Sequence, residues 1–185
     1  LEIDPLIFQG QIGRSSLLGF DPFGPQPRSV IKRSDGIKLQ VKPIPDTYTG
    51  QTWLPASKLN IQEQWSIDPG KLKQGEAVTR TLTVIAEGLS SSQLPSVRSE
   101  LPDSLKQYPD QPGFEDTNQG ETYIGTRQEK MAIIPVEAGE FVLPPIKLPW
   151  WNVNTDQMEV AELPERRIQV SAVAAATNNL QTPAI

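Results

Sequence analysis

The sequence predicts an all-β chain, on three observations. Helical periodicity is nearly absent: the best helical stretch, Ser96–Tyr108, has poor apolar spacing and is interrupted by Pro102. Strand-like alternation recurs along the chain. The 185 residues include 18 prolines and 13 glycines, and proline inside a helix or a central strand forfeits a hydrogen bond, so elements must be short. Many short strands between Gly/Pro turns indicate an immunoglobulin-like β-sandwich. The proline-rich segment Lys42–Gly50 reads as a semi-rigid connector. It divides the chain into 1–45, part of a preceding domain of the same type, and 46–172, one complete domain. Residues 173–185 read as a linker or tail.

The elements follow in order. Ile37–Val41 alternates cleanly. Leu59–Trp65 alternates with one charged interruption, Glu63. Asp68-Pro69-Gly70 and Lys73-Gln74-Gly75-Glu76 are turn signals ahead of the Ala77–Ala86 strand. That strand sets Val78, Leu82 and Val84 on one face and Thr79, Thr81 and Thr83 on the other. Arg80 falls on the apolar face, so it is either a sheet-end residue or a paired charge. Leu89–Gly120 is long, polar and dotted with prolines. A stretch of that length is functional or hides short elements. Glu121–Ile134 contains another long strand, its buried end marked by Met131, Ile133 and Ile134. Phe141–Leu143, Met158–Leu163 and Arg167–Val170 complete the set, with Gly139 and the Asn152–Asp156 run supplying turns that tolerate positive φ.

There is a short internal repeat. Pro5-Leu6-Ile7-Phe8 resembles Pro145-Ile146-Lys147-Leu148, and Ile37-Lys38-Leu39-Gln40-Val41 resembles Arg166-Arg167-Ile168-Gln169-Val170. On this reading residues 1–42 are the last strands of a preceding domain. A start at Leu1-Glu2-Ile3-Asp4-Pro5, without Met or signal peptide, reads as a piece of a longer protein.

Composition narrows the chemistry. With no cysteine and no histidine, disulfides, thiolate nucleophiles, Cys/His metal sites and imidazole acid–base catalysis are excluded. The net charge of −5 is spread over 17 basic and 22 acidic residues, with one basic cluster at Arg28, Lys32, Arg33 and Lys38. That pattern argues against nucleic acid as a partner. No apolar run approaches the length of a membrane span. Asp116–Glu121 begins like a calcium loop but lacks the glycine spacing and flanking helices. Ser29-Val30-Ile31-Lys32 matches a Ser-x-x-Lys dyad, yet in a strand residues three apart face opposite ways. Gly10 and Gly13 are a lone pair in a turn, short of a phosphate loop. No catalytic, cofactor-binding or metal residue is assigned, and a non-enzymatic chain is expected.

The aromatics say more. Trp65 is expected in the core. Adjacent Trp150 and Trp151 point to opposite faces, one filling the core and the other lying near the surface, packed on a local loop or covering an edge or a partner. Together with Asn152, Tyr108 and Tyr123 they make the candidate partner surface. An alternative function is a glycan-binding module with Trp150 or Trp151 and Tyr108 as stacking platforms.

An ordered series of motifs carries a family resemblance. It runs Trp53-Leu54-Pro55-Ala56, the Leu59–Trp65 strand, Gly75–Thr83, Ala86–Leu89, Gln93-Leu94-Pro95 and Leu105–Asp110. It continues with Ile134-Pro135, Ala138–Pro144 and Trp150-Trp151-Asn152. From about Ile3 to Val170 the chain resembles the BatD family, the "oxygen tolerance" proteins of bacterial aerotolerance operons. The resemblance implies consecutive immunoglobulin-like domains in the periplasm, held by a signal peptide and a membrane anchor outside this sequence. It implies a scaffold in envelope stress tolerance, with von Willebrand A-domain proteins and MoxR-type ATPases as partners. It implies no catalytic residues and no cofactor.

Overall fold

The computed structural model describes residues 1–12, 28–98 and 100–173. The architecture is all-β. Among the described residues the only helical pieces are 3-10 turns at Pro69–Lys71 and Ser91–Gln93. Gly13 and all but Val173 of the predicted tail lie outside the described residues. The chain divides into two units, Leu1–Ile44 and Pro45–Ile185.

The first unit holds β1 (Glu2–Ile3), β2 (Ile7–Ile12), β3 (Arg28–Arg33) and β4 (Ile37–Lys38). β1 pairs β4 and β2 pairs β3, both antiparallel, so the four pieces form two nested ladders broken around Pro5. The Ile37–Val41 reading shortens to Ile37–Lys38, although Leu39 still donates to the Leu1 carbonyl at 2.8 Å. Apart from half-buried Val30, the large apolar side chains described in this unit are exposed, Leu6 at 79% and Phe8 at 66%.

In the second unit, β5 (Pro55–Ala56) runs through Ser57 into β6 (Lys58–Trp65). After β7 (Leu72–Lys73) come β8 (Val78–Glu87), β9 (Leu105–Pro109), β10 (Gly113–Gln119) and β11 (Thr122–Pro135). β6, β8 and β11 are adjacent and antiparallel, and β9 and β10 pair successive halves of β11 on its far side. The Leu89–Gly120 stretch thus hides two strands, and no described residue of Ser96–Tyr108 is helical: a turn at Asp103–Ser104 leads into β9. Between them Asp110-Gln111-Pro112 oppose only Glu129 and Lys130, a bulge of one residue.

β12 (Gly139–Leu143), β13 (Ile146–Asn152), β14 (Gln157–Leu163) and β15 (Arg166–Ser171) follow. β12 pairs β15 and β13 pairs β14 in one continuous register. The gap between the two ladders falls where Pro144 and Pro145 meet Pro164 and Glu165. Proline lacks the N–H a ladder needs, so three of them at one level interrupt it. β5 lies parallel to β13 and β7 parallel to β15.

One hydrophobic core joins these sheets. Ile61, Leu82, Val84 and Ile133 come from the five-stranded sheet; Leu143, Ile146, Trp150, Ile168 and Val170 come from the hairpin of β12–β15. Each such side chain, fully buried, contributes about 1.5–3 kcal/mol. The expected faces of β8 are observed: Val78, Arg80, Leu82, Val84 and Ala86 are buried, and the threonines look outward. On β11 the buried face is Met131, Ile133 and Pro135; Ile134 belongs to the other face and is half-buried.

Candidate functional site

Glu63, Leu82 and Glu129 stand side by side across β6, β8 and β11, on the core-facing side of the sheet. Two buried carboxylates therefore flank one leucine. Each is neutralised locally. Arg80, 2% exposed, donates Nε to Glu63 Oε1 at 2.8 Å. Arg166 on β15 donates to Glu63 Oε2, so this ion cluster ties the two layers. The Arg80 guanidinium also lies 5.5 Å above the Trp65 ring. Burial lowers the Arg80 pKa and the Glu63 charge opposes that shift. Arg80 is thus the paired charge of the two options. Trp65 is half-buried, and its Nε1 has no hydrogen-bond partner among the described residues.

Glu129 is held from above. Arg127 donates to Glu129 Oε1 through Nη2 at 2.7 Å and Nε at 3.1 Å, and Ser96 Oγ donates to Oε2 at 2.9 Å. Arg98 Nε approaches the same carboxylate at 3.6 Å. Ser96 and Arg98 belong to a strap, residues 89–98, that crosses the inner face of the sheet. Arg127 Nη1 donates to the Leu94 carbonyl at 2.8 Å, and Leu89, Leu94 and Val97 are buried. The strap passes so close to β11 that a Cβ on Gly125 would lie 2.4 Å from the Leu89 carbonyl oxygen and 2.5 Å from the Ser91 nitrogen. Glycine is required there because only it lets the two backbones touch.

Asp116 of β10 fastens the strap. Its carboxylate accepts from Ser91 N at 2.6 Å and from Ser91 Oγ at 3.0 Å. The backbone hydrogen bond from Ser91 holds its carboxyl below the usual range, helped by the hydroxyls of Ser91 and Tyr123. Tyr123 is raised by desolvation first, and then by the Asp116 charge. The calcium-like sequence at Asp116 is therefore a strand carboxylate with a structural bond. Among the described residues no group of three or more Asp, Glu, Cys or His is placed to hold a metal ion.

The two tryptophans are both buried, Trp150 at 4% and Trp151 at 7%. The outward-facing indole expected near the surface is covered by a segment read as connector. Tyr48 stacks edge-on to Trp53 at 4.9 Å, Trp53 lies 5.9 Å from Trp151, and the Tyr48 hydroxyl donates to the Pro149 carbonyl at 3.1 Å. Desolvation raises the Tyr48 pKa. Trp151 Nε1 finds Asp156 at 3.3 Å. Neither indole offers a stacking face to a sugar. Asn152 closes the β13–β14 turn, accepting from Asn154 N at 2.9 Å, and Asp156 takes the positive φ of 55°.

The tyrosines are elsewhere. Tyr108 is 58% exposed and faces Ala132 across the ladder, whereas Tyr123 begins the other end of β11. About 30 Å of strand separates them. The five predicted residues do not converge on one surface.

What the structure does present is an edge. β10 is exposed along its whole length and closes one side of the five-stranded sheet. Gly88 N donates to the Tyr123 carbonyl of β11 at 2.7 Å, so odd-numbered residues of β11 turn their amides to β8 and even-numbered ones to β10. In the observed register Gly113, Glu115, Thr117 and Gln119 bond β11, while the N–H and C=O groups of Phe114, Asp116 and Asn118 point away from it. Phe114 is half-exposed and its ring lies 5.2 Å from the Arg127 guanidinium. The bulge at Asp110–Pro112 and the missing N–H of Pro109 confine a regular open ladder to β10. Sequence reasoning missed this strand because Gly113–Gln119 has no apolar alternation; only its place after a proline break hinted at it.

Among the described residues no helix is long and apolar enough to cross a membrane. No family model matches the chain, and comparison with curated proteins and with solved structures found no match.

Proposed function

We propose that this chain is a non-catalytic protein-interaction module, an immunoglobulin-like β-sandwich that binds its partner by strand addition at β10. The reading extends to a BatD-like envelope scaffold in the bacterial periplasm, with von Willebrand A-domain proteins and MoxR-type ATPases as partners. The motif series from Trp53 to Asn152 supports the family assignment. Two layers sharing one core, and strands β5 and β7 that add in parallel to the opposite layer, support the sandwich. The observation that carries the functional reading is the open β10 ladder, flanked by half-exposed Phe114. Main-chain groups give strand addition its affinity and alternate side chains its specificity.

The test is a binding titration against a membrane-anchored von Willebrand A-domain protein from an aerotolerance operon. Asn118→Pro removes one outward N–H and leaves the β11 ladder intact, so binding weakens ~10-fold or more at an unchanged melting temperature. Unaltered affinity in Asn118→Pro rejects β10 as the docking edge. No binding by the wild-type chain rejects this partner.

A further inference from the structure

The hairpin of the first unit and the terminal hairpin of the second share one register. Place Pro5–Phe8 on Pro145–Leu148, and place Ile37–Val41 on Arg166–Val170, carried back without a gap through β3. Every β2–β3 pair then lands on a β13–β14 pair. Ile7↔Arg33 falls on Lys147↔Glu162, Phe8↔Lys32 on Leu148↔Ala161, and Ile12↔Arg28 on Asn152↔Gln157. Both β1–β4 pairs land on β12–β15 pairs, Ile3↔Ile37 on Leu143↔Arg166. The proline break recurs at the same level, Pro5 at Pro145. Residue types alone set the alignment and backbone pairing alone sets the register, so their agreement is an independent check.

In the second unit the face bearing Leu143, Ile146, Ile168 and Val170 is buried in the core shared with the five-stranded sheet. The counterparts in the first unit are Ile3, Leu6, Leu39 and Val41. All four are apolar and all four are exposed. Lys32 and Ser34, at the places of Ala161 and Leu163, make the β3 side of this face more polar.

We propose that Leu1–Ile44 is the closing hairpin of a second domain of the same design. Its exposed apolar face docks a sheet like that of β6, β8 and β11, supplied by residues of the protein's own chain preceding Leu1. A second copy of this chain does not fit, because its five-stranded sheet already has its inner face filled by its own β12–β15 hairpin. A lone two-stranded hairpin is marginal in water, which a covering sheet remedies.

The chain has no cysteine, so single engineered thiols report cleanly. Ile3→Cys, Leu39→Cys and Val41→Cys probe the apolar face; Lys38→Cys and Gln40→Cys, at the places of exposed Arg167 and Gln169, are controls. Maleimide labelling is timed in Leu1–Ile185 and in the native-length protein, with the melting temperature of each variant taken as a fold check. All five thiols react at similar rates in the 185-residue chain. In the native-length protein the three face thiols slow roughly 100-fold, as expected of sites reached only through opening of the structure, and the controls do not change. Equal rates for face and control thiols in the native-length protein overturn the proposal. So does protection in the 185-residue chain that grows with protein concentration, which assigns the face to a second copy. So does protection seen only with anionic phospholipid vesicles, which assigns it to a membrane.

Discussion

At the scale of single residues, Glu63 couples the two layers. Its carboxylate serves Arg80 in its own sheet and Arg166 in the facing one. Removing one member of a buried ion pair strands the other charge, and the desolvation is then uncompensated. Glu63→Ala is expected to lower stability by about 3–5 kcal/mol, read by urea unfolding. The paired change Glu63→Leu with Arg80→Met is expected to recover most of that loss, because apolar replacements of similar volume remove the desolvation cost altogether. The inward direction of both residues was legible in the strand alternation. The partner Arg166 was not, since no local pattern reports a contact with the opposite layer. The cover over Trp151 was hidden for the same reason. The burial of this indole depends on Tyr48, which lies far away in sequence and inside a segment whose prolines resemble a linker.

At the scale of elements, the strap of residues 89–98 and β10 act together. Gly125→Ala drives a methyl into backbone atoms that cannot rotate away. A loss of about 3 kcal/mol or more is expected, with the melting temperature down by roughly 6–12 °C. Asp116 makes the strap pH-sensitive. Its folded pKa lies below the unfolded value of about 3.9, so its contribution is complete above that pH. The contribution is lost as pH falls through the lower folded value. The Ser91 amide resonance is expected to titrate with a midpoint below ~3.9, and Asp116→Asn to remove that step. The sequence marked Leu89–Gly120 as either functional or hiding short elements, and the structure places β9 and β10 within it. The strand character of β10 stayed hidden because a wet edge strand needs no apolar alternation, only backbone pairing with β11.

At the scale of the molecule, the two units differ in what they bury. Pro45–Ile185 has a core drawn from both its layers, whereas the large apolar side chains described in Leu1–Ile44 are exposed apart from half-buried Val30. Unfolding of the 185-residue chain should therefore report the second unit. Deleting residues 1–44 is expected to leave its melting temperature within about 2 °C and its urea m-value nearly unchanged. A large drop in either would mean that the first unit stabilises the second. The scarcity of helix and the proline punctuation made the all-β class legible from composition. The proline positions went further, because Pro144, Pro145 and Pro164 mark the break in the β12–β15 hairpin.

Strand addition at β10 is tested most directly by hydrogen exchange on the chain with and without its bound partner. The amides of Glu115, Thr117 and Gln119 already bond β11, so they are slow in both states. Those of Phe114, Asp116 and Asn118 are fast in the free chain and are predicted to slow ~10-fold or more in the complex. Unchanged exchange at these three amides, with protection gained instead on the threonine face of β8, would contradict the account.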